Sequence, residues 1–191
     1  MSTGIVLLGM GGPRDADDVG PYLRRVLSDP ELVGLPLQPW TGRFIARSAT
    51  RCSREHHERI GFGHSARWLD AQAQGIAARL DTLAPATAPH LPFVANRYAA
   101  PSADDCIAAL AQAEVERVLL VACDPHRARS TTEAFLGHWR RALERYPGFR
   151  PAETELVSWG CVGTVCAAWA TLVRTSLERL QELAPSRADR K

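Results

Sequence analysis

The chain has 191 residues, 46% of them hydrophobic and 23% charged, which is the composition of a globular protein that can bury one sizeable core. A formal net charge of +2 gives no electrostatic basis for a nucleic-acid partner. The five cysteines form no CxxC pair, no signal-peptide pattern opens the chain, and no run approaches the ~20 apolar residues of a membrane span. We therefore expect a cytoplasmic protein without a transmembrane segment.

The first predicted element is a buried strand that ends in a glycine-rich turn. Residues 5–8 are apolar without alternation, which is typical of a parallel strand covered on both faces. Gly11 and Gly12 permit a tight turn or close approach of a ligand, and Pro13 ends the strand. Met10 lies at the carboxyl end, where α/β proteins place their ligands. The turn is therefore a candidate ligand site, and a simple core methionine is the alternative.

Three helices are predicted in the next part of the chain. Residues 15–27 show the spacing of one helical apolar face, residues 30–41 form a loop rich in Pro and Gly, and residues 44–59 form a polar surface helix. Residues 65–83 form the third helix, which Ser65 could cap. Its expected apolar face is Trp68, Leu69, Ile76, Leu80 and Leu83.

Strands and helices alternate through the remaining sequence. Strands are predicted at 91–98, 117–123 and 155–159, the second of them central, and helices at 102–110, 130–146 and 162–183. Ser102 and Asp105 form a capping box. Residues 184–191 are expected to be a polar tail. The alternation predicts one doubly wound α/β domain over residues 1–183, with a parallel sheet of four or more strands and helices on both faces.

Several ordered motifs in this chain resemble the N-terminal half of a ferrochelatase, the family that inserts ferrous iron into a porphyrin. The motifs are Leu7-Leu-Gly-Met-Gly-Gly-Pro13, Ser28-Asp-Pro30, Phe44-Ile-Ala-Arg47, Arg59-Ile-Gly61, Asn96-Arg-Tyr98 and Ser130-Thr-Thr132. The family holds the macrocycle in a cleft between two similar α/β domains. The resemblance therefore implies a chelatase-like fold and a place in heme biosynthesis.

The activity implied by the resemblance is that of a lyase that inserts a divalent metal, with Fe²⁺ favoured, into a porphyrin or related tetrapyrrole. The metal is expected as a substrate, and no tightly bound cofactor is expected. The family's Ser-Ala-His and later acidic motifs do not occur after Trp159. A homodimer or a second chelatase-domain subunit is therefore expected to complete the cleft. The alternative is a catalytically degenerate tetrapyrrole- or metal-binding accessory protein.

The resemblance also implies site residues. Those expected to bind the tetrapyrrole are Met10, Gly11, Gly12, Ile45, Arg47, His57, His64, Arg97, Tyr98, Ser130 and Thr131. Asp124 and His126 at the tip of the third strand are the candidate catalytic pair, because imidazole suits ferrous iron and a carboxylate can relay protons. His126 and His64 are the candidate metal ligands. The open alternatives are that Asp124 caps the next helix and that Arg97 forms an ion pair at its strand end.

Some residues depart from the family pattern. Ser48 and Ala49 stand where basic residues usually meet porphyrin propionates, and His57 stands in place of a tyrosine. After the third strand, residues 124–128 replace a Tyr-Pro-x-Tyr-Ser pattern. The residues that contact the macrocycle are thus expected to differ from those of an ordinary ferrochelatase.

Overall fold

The computed structural model describes residues 2–38 and 40–183. Within them lie strands β1 (Thr3–Gly9), β2 (His90–Asn96), β3 (Arg117–Ala122) and β4 (Ala152–Leu156). The α-helices are α1 (Val19–Leu27), α2 (Trp40–Ile60), α3 (His64–Leu83), α4 (Ala103–Gln112), α5 (Ala134–Leu143) and α6 (Gly163–Leu183). The chain divides into two units, Met1–Val157 with the whole sheet and Ser158–Lys191 with α6. The predicted tail at 184–191 lies outside the described residues.

The four strands form one parallel sheet in the order β2-β1-β3-β4. β1 and β3 are central, with Leu7 of β1 aligned between Val94 of β2 and Val121 of β3. From β1 the chain moves outward to β2, and from β3 it moves in the opposite direction to β4. The α/β class is confirmed, and the reversal between β1 and β3 marks the point where such sheets bind ligands at their carboxyl edge.

Helices cover both faces of the sheet, as the sequence predicted. Val6 and Leu8 point to one face and pack with α4 and α5, where Trp139 is completely buried. Leu7 points to the opposite face and packs against Leu69 and Ala73 of α3. Because strand side chains alternate while both faces are covered, residues 5–8 are apolar without interruption.

Two helix starts differ from the sequence prediction. α1 begins at Val19 rather than 15, because the Asp15 carboxylate accepts hydrogen bonds from the backbone N–H groups of Asp17 and Asp18 and closes a turn. The prediction that Ser65 caps α3 is wrong. The cap is Gly63, whose φ of 69° is left-handed and which makes no side-chain capping bond.

The buried face of α3 is narrower than the sequence suggested. Trp68 and Leu83 were expected on the apolar face but are 67% and 64% exposed. Small residues take their place, since Ala73 and Ala77 are buried together with Leu69. Small side chains let the helix approach the sheet closely, and this choice is invisible to a pattern that counts only large apolar residues.

α2 begins at Trp40, within the stretch predicted as a loop and four residues before the predicted helix. It packs against α1 at Gly42, where an added Cβ would lie 2.2 Å from the Leu27 carbonyl oxygen. Only glycine allows this approach of the two helices. Most of the rest of α2 is solvated, as its polar sequence predicted, with only Gly42 and Ala46 buried.

In the second half of the Met1–Val157 unit, some helices and strands lie where the sequence predicted them and others begin at different residues. The Ser102–Asp105 capping box of α4 is present in both directions. Residues 129–133 form a π-turn that leads directly into α5, so the helix predicted from residue 130 is present and starts with this wider turn. β4 lies three residues before its predicted position, because its glutamates are partners of α5: Glu153 accepts from Trp139 Nε1 at 2.7 Å. These side-chain contacts, together with pairing to β3, stabilise a polar segment as a strand.

α6 is amphipathic by sequence and exposes large apolar residues, among them Trp169 and Leu172, at about 60%. No helix in the described part of the chain is long and apolar enough to cross a membrane. All five cysteines, which are all described, are free thiols.

Candidate functional site at the carboxyl edge of the sheet

The chain exits from β1, β2 and β3 are tied together by backbone hydrogen bonds. The Arg97 and Tyr98 amides donate to the carbonyls of Gly9 and Met10 at 2.9 and 3.1 Å. The Cys123 amide donates to the Leu8 carbonyl at 3.0 Å. The strand ends that carry most of the predicted site residues are thus one connected edge.

The glycine-rich turn packs against the loop after β2 and against the start of α3. Gly11 has a φ of +75°, and a Cβ there would lie 2.6 Å from that of Ala99, so both its backbone angle and its surroundings require glycine. The Pro13 carbonyl accepts from the Gly63 amide at 3.3 Å, which places the turn against the start of α3. Met10 is partly buried against the core cluster under α4 and α5.

Arg97 and Tyr98 form a hydrogen-bonded network that closes on Asp29. The Arg97 side chain is 5% exposed, and its Nε donates to Asp29 Oδ2 at 2.7 Å. The Tyr98 hydroxyl donates to the same oxygen at 2.8 Å. Arg97 Nη1 and Nη2 donate to the Ala134 carbonyl and to Glu31. Every guanidinium nitrogen is engaged within the protein, so the ion pair named as an alternative for Arg97 is present.

The same contacts set the protonation of the network. Burial raises the pKa of the Asp29 carboxyl, but hydrogen bonds from Tyr98, from the Glu31 amide and from Arg97, with the Arg97 charge, outweigh burial and hold that pKa below its ordinary value. Burial, reinforced by the bond to Asp29, raises the pKa of Tyr98. Asp29 therefore stays ionised and Tyr98 protonated at neutral pH.

A surface cleft of about 440 Å³ opens beside this network. Asp29, Arg97 and Tyr98 border it together with Arg25 and Arg141. The guanidiniums of Arg25 and Arg141 are about half-exposed beside the cleft, and each is paired with a carboxylate, Asp18 for Arg25 and Glu31 for Arg141.

Asp124 and His126 lie in the bend that follows β3. His126 is exposed, while Asp124 is half-buried and burial raises the pKa of its carboxyl. Asp124 does not cap α5, whose N-cap is Glu133. A carboxyl with a raised pKa two residues from an exposed imidazole is suited to moving protons.

Ser130 and Thr131 lie in the π-turn Arg129–Glu133 and are half-buried. The turn folds back over the bend after β3, because Thr132 Oγ1 donates to the His126 carbonyl at 3.3 Å and Arg127 Nε donates to Glu133 at 2.5 Å. The structure thus brings the Ser-Thr-Thr motif and the candidate catalytic pair together.

His64 is the first residue of α3, and both of its ring nitrogens have partners. Nε2 lies 2.7 Å from the Ile60 carbonyl, which can only accept, so this nitrogen carries the hydrogen. Arg67 donates to Nδ1 at 3.0 Å. Metal binding by His64 therefore requires the ring to leave one of these partners.

In contrast to His64, His57 has a hydrogen-bond partner on only one of the ring nitrogens described. Its Nδ1 lies 2.8 Å from the Ser53 carbonyl and so carries the hydrogen, which leaves the lone pair of the neutral ring on Nε2. The ring stacks on Phe62 with 6.0 Å between the centroids. On the same helix, Ile45 and Arg47 are exposed next to Phe44, which is 75% exposed.

His64 and His126 belong to different parts of the carboxyl edge, one beside the glycine-rich turn and the other after β3. In residues 2–38 and 40–183, no group of three or more His, Cys, Asp or Glu side chains is arranged to hold a metal ion. This edge of the described chain therefore does not contain a closed metal centre of its own.

Comparison with known proteins agrees with the motifs on this edge. The sequence model described as Ferrochelatase matches residues 2–190, almost the whole chain. The chain belongs to the ferrochelatase family.

Individual relatives carry the name "Ferrochelatase, mitochondrial". The protein of Schizosaccharomyces pombe is 37% identical over 143 residues, which cover 74% of this chain and 34% of the relative. That of Xenopus laevis is 34% identical over 161 residues, covering 84% and 38%. The Homo sapiens protein is 35% identical over 145 residues, covering 75% and 33%. The chain thus spans about a third of the length of these ferrochelatases.

Two ferrochelatase motifs of this chain contact one another through Asp29, a residue that was missed among the predicted site residues. Asp29 of Ser28-Asp-Pro30 accepts hydrogen bonds from Arg97 and Tyr98 of Asn96-Arg-Tyr98. The sequence offered one indication of this contact: an acidic motif, Ser28-Asp-Pro30, and a basic motif, Asn96-Arg-Tyr98, occur in the same ordered set. Thr132 was missed as well, because the hydroxyl that anchors the turn cannot be told from its neighbours by residue type.

Proposed function

We propose that this domain provides one wall of a site that inserts a divalent metal, ferrous iron first, into a porphyrin or related tetrapyrrole. The observation that carries the proposal is the connected carboxyl edge. The Gly9 and Met10 carbonyls accept from the amides that follow β2, and the Leu8 carbonyl accepts from the Cys123 amide at the switch point between β1 and β3. Family membership supports this use of the edge.

The proposed chemistry needs a base near the macrocycle, because replacing two pyrrole hydrogens by one divalent metal ion releases two protons. His126 has an exposed imidazole that suits ferrous iron and can accept a proton. Asp124, with its raised pKa, can pass protons on to solvent. Met10 and the glycine turn provide a low, partly apolar floor on which a flat ring can rest.

We infer that a second α/β domain faces this edge and closes the cleft, provided by another copy of the chain or by a partner. The edge in the described residues contains no closed metal centre, and a cleft between two domains excludes water, which insertion of a dehydrated metal requires.

The five free thiols support a reducing compartment such as the cytoplasm.

One set of observations favours the alternative, a tetrapyrrole-binding accessory protein without insertion activity. Both nitrogens of His64 are engaged, and the Arg97 guanidinium is neutralised internally by Asp29. With His64 engaged, His126 is the remaining candidate ligand at the edge, and if it does not direct the metal, the surface binds the ring without inserting a metal ion.

Anaerobic insertion assays test the proposal. Purified chain is mixed with protoporphyrin and Fe²⁺ or Co²⁺, and porphyrin absorbance is followed for binding, as a Soret shift, and for metallation. Catalysed metallation that falls at least about tenfold in His126→Ala supports the proposed role, since positioned acid–base groups contribute roughly 10²–10⁴-fold.

The control is Arg79→Gln, which replaces an exposed side chain of α3 outside the residues assigned to the site and is expected to leave the rate unchanged. A Soret shift without metallation establishes the accessory protein instead. Absence of any shift rejects the tetrapyrrole for both functions. Light scattering of the same sample with and without porphyrin shows whether two copies meet.

A further inference from the structure

A thiol and an imidazole face each other on the exposed surface of α2, outside the residues assigned to the proposed site. Cys52 Sγ lies 3.7 Å from His56 Nδ1, and both residues are exposed. Positions four apart share one face of a helix. The backbone of α2 therefore holds the two side chains side by side without help from any other element.

The separation of the two atoms matches the bite of a tetrahedral metal ion. With a metal–sulfur bond of about 2.3 Å and a metal–nitrogen bond of about 2.0–2.1 Å at a tetrahedral angle, the two ligand atoms stand about 3.6 Å apart. The observed 3.7 Å differs little from this value. A metal ion can therefore enter between the two groups with only a small movement of either side chain.

We propose that Cys52 and His56 form a two-ligand site for a divalent transition metal such as Zn²⁺, Co²⁺ or Fe²⁺. Thiolate and imidazole select these ions over Mg²⁺ and Ca²⁺, which prefer oxygen ligands. Water completes the coordination, since no larger group of metal-ligating side chains is assembled in the described chain. Glu55, next to His56, is engaged by Arg51 at 3.4 Å.

Such a site is open and exchangeable. Two protein ligands leave positions for water or for an incoming ligand, in contrast to the closed four-ligand sites that stabilise folds. The site goes beyond the proposed function, because it holds a metal ion in the absence of any tetrapyrrole.

The test is a titration of the full chain with Co²⁺, without porphyrin, under argon and with a phosphine reductant that does not chelate metals. Wild type is expected to bind one ion per chain with a thiolate-to-cobalt charge-transfer band. Cys52→Ser is expected to remove the band. His56→Gln is expected to weaken binding at least about tenfold, since loss of even an outer partner of a metal site costs about 10–100-fold.

Cys161→Ser and Cys166→Ser are the matched controls, because both replace exposed thiols of the other unit and should keep the wild-type band. Thermal unfolding of each variant verifies the fold. A band that survives in Cys52→Ser, one that disappears in a control, or none in wild type overturns the proposal.

Alkylation provides a second measurement. Zn²⁺ is expected to slow the reaction of iodoacetamide with Cys52, followed by peptide mass, and to leave Cys161 unaffected. Equal rates at Cys52 with and without Zn²⁺ also overturn the proposal. Because neither measurement contains porphyrin, failure here is distinct from failure of the insertion assay.

Discussion

Arg97 is the residue on which the organisation of the edge depends most. Its buried guanidinium donates to Asp29 in the loop after α1 and to the Ala134 carbonyl at the start of α5. Its backbone amide, directly after β2, donates to the Gly9 carbonyl of β1. A buried ion pair adds little net stability relative to an apolar pair, but removing one partner leaves the other charge buried and unpaired.

Arg97→Met is therefore expected to reduce the free energy of unfolding by about 3–5 kcal/mol, measured by urea denaturation. Arg141→Met is the matched control: its side chain is 52% exposed, and loss of its contact with Glu31 should cost about 1 kcal/mol or less. In the double variant Asp29→Leu/Arg97→Met the loss should be smaller than the sum of the single losses. Additive losses would contradict the pairing.

The acid side of the stability profile depends on Asp29. Its folded pKa lies below the ordinary value of 3.8, so the ionised carboxylate stabilises the native state. That contribution is fully present above the unfolded pKa and is lost as the pH falls through the lower folded pKa. Between about pH 5 and 3, wild type should lose stability more steeply than Asp29→Asn in urea titrations. Parallel curves would show that Asp29 is not linked to folding.

At the scale of elements, two helical glycines have opposite effects on packing. Gly42 of α2 lies where a Cβ would meet the Leu27 carbonyl at 2.2 Å, whereas a Cβ at Gly75 of α3 would meet nothing within 4 Å. Packing makes glycine necessary at the first position, while at the second its backbone freedom only weakens the helix.

Gly42→Ala is accordingly expected to destabilise the protein by about 1–3 kcal/mol through overpacking between α1 and α2. Gly75→Ala is expected to stabilise it by about 0.5–1 kcal/mol, because alanine is the better helix former. Thermal unfolding of the two variants side by side measures both. A gain of stability in Gly42→Ala would mean that the two helices are not in close contact.

At the scale of the whole molecule, both core clusters lie inside the Met1–Val157 unit, and no residue after Ala142 in the described chain is a buried hydrophobic. The sheet and its helices therefore contain the contacts that cooperative unfolding needs. β4 is exposed on its side chains but supplies Glu153, the acceptor for the buried Trp139 indole.

A chain that ends at Val157 keeps both core clusters and the whole sheet and is therefore expected to fold. A chain that ends at Arg150 lacks β4 and leaves the Trp139 N–H unpaired, at a cost of at least about 1–3 kcal/mol. Urea unfolding followed by circular dichroism measures both. An unfolded Val157 chain would show that residues after 157 contribute to the core.

Particular residues show which parts of the fold the sequence predicted correctly. The uninterrupted apolar run at 5–8 and the Ser102–Asp105 capping box determined a parallel strand and a helix start by local rules, and the structure confirms both. β4 was misplaced, since the glutamates of its Ala-Glu-Thr-Glu-Leu segment become strand residues only through pairing with β3 and contacts with α5. The roles proposed for Met10, Asp124 and His126 stay predictions.

The sequence by itself determined the alternation of strands and helices, the covering of both sheet faces and the motifs of the family, because these follow from periodicity and residue type along the chain. Only the tertiary structure decided that the Arg97 charge is bound to Asp29, that the Tyr98 hydroxyl donates to the same carboxylate and that the Trp139 indole donates to Glu153. Which partner a polar group finds depends on distances and side-chain directions that are set only when the elements are packed.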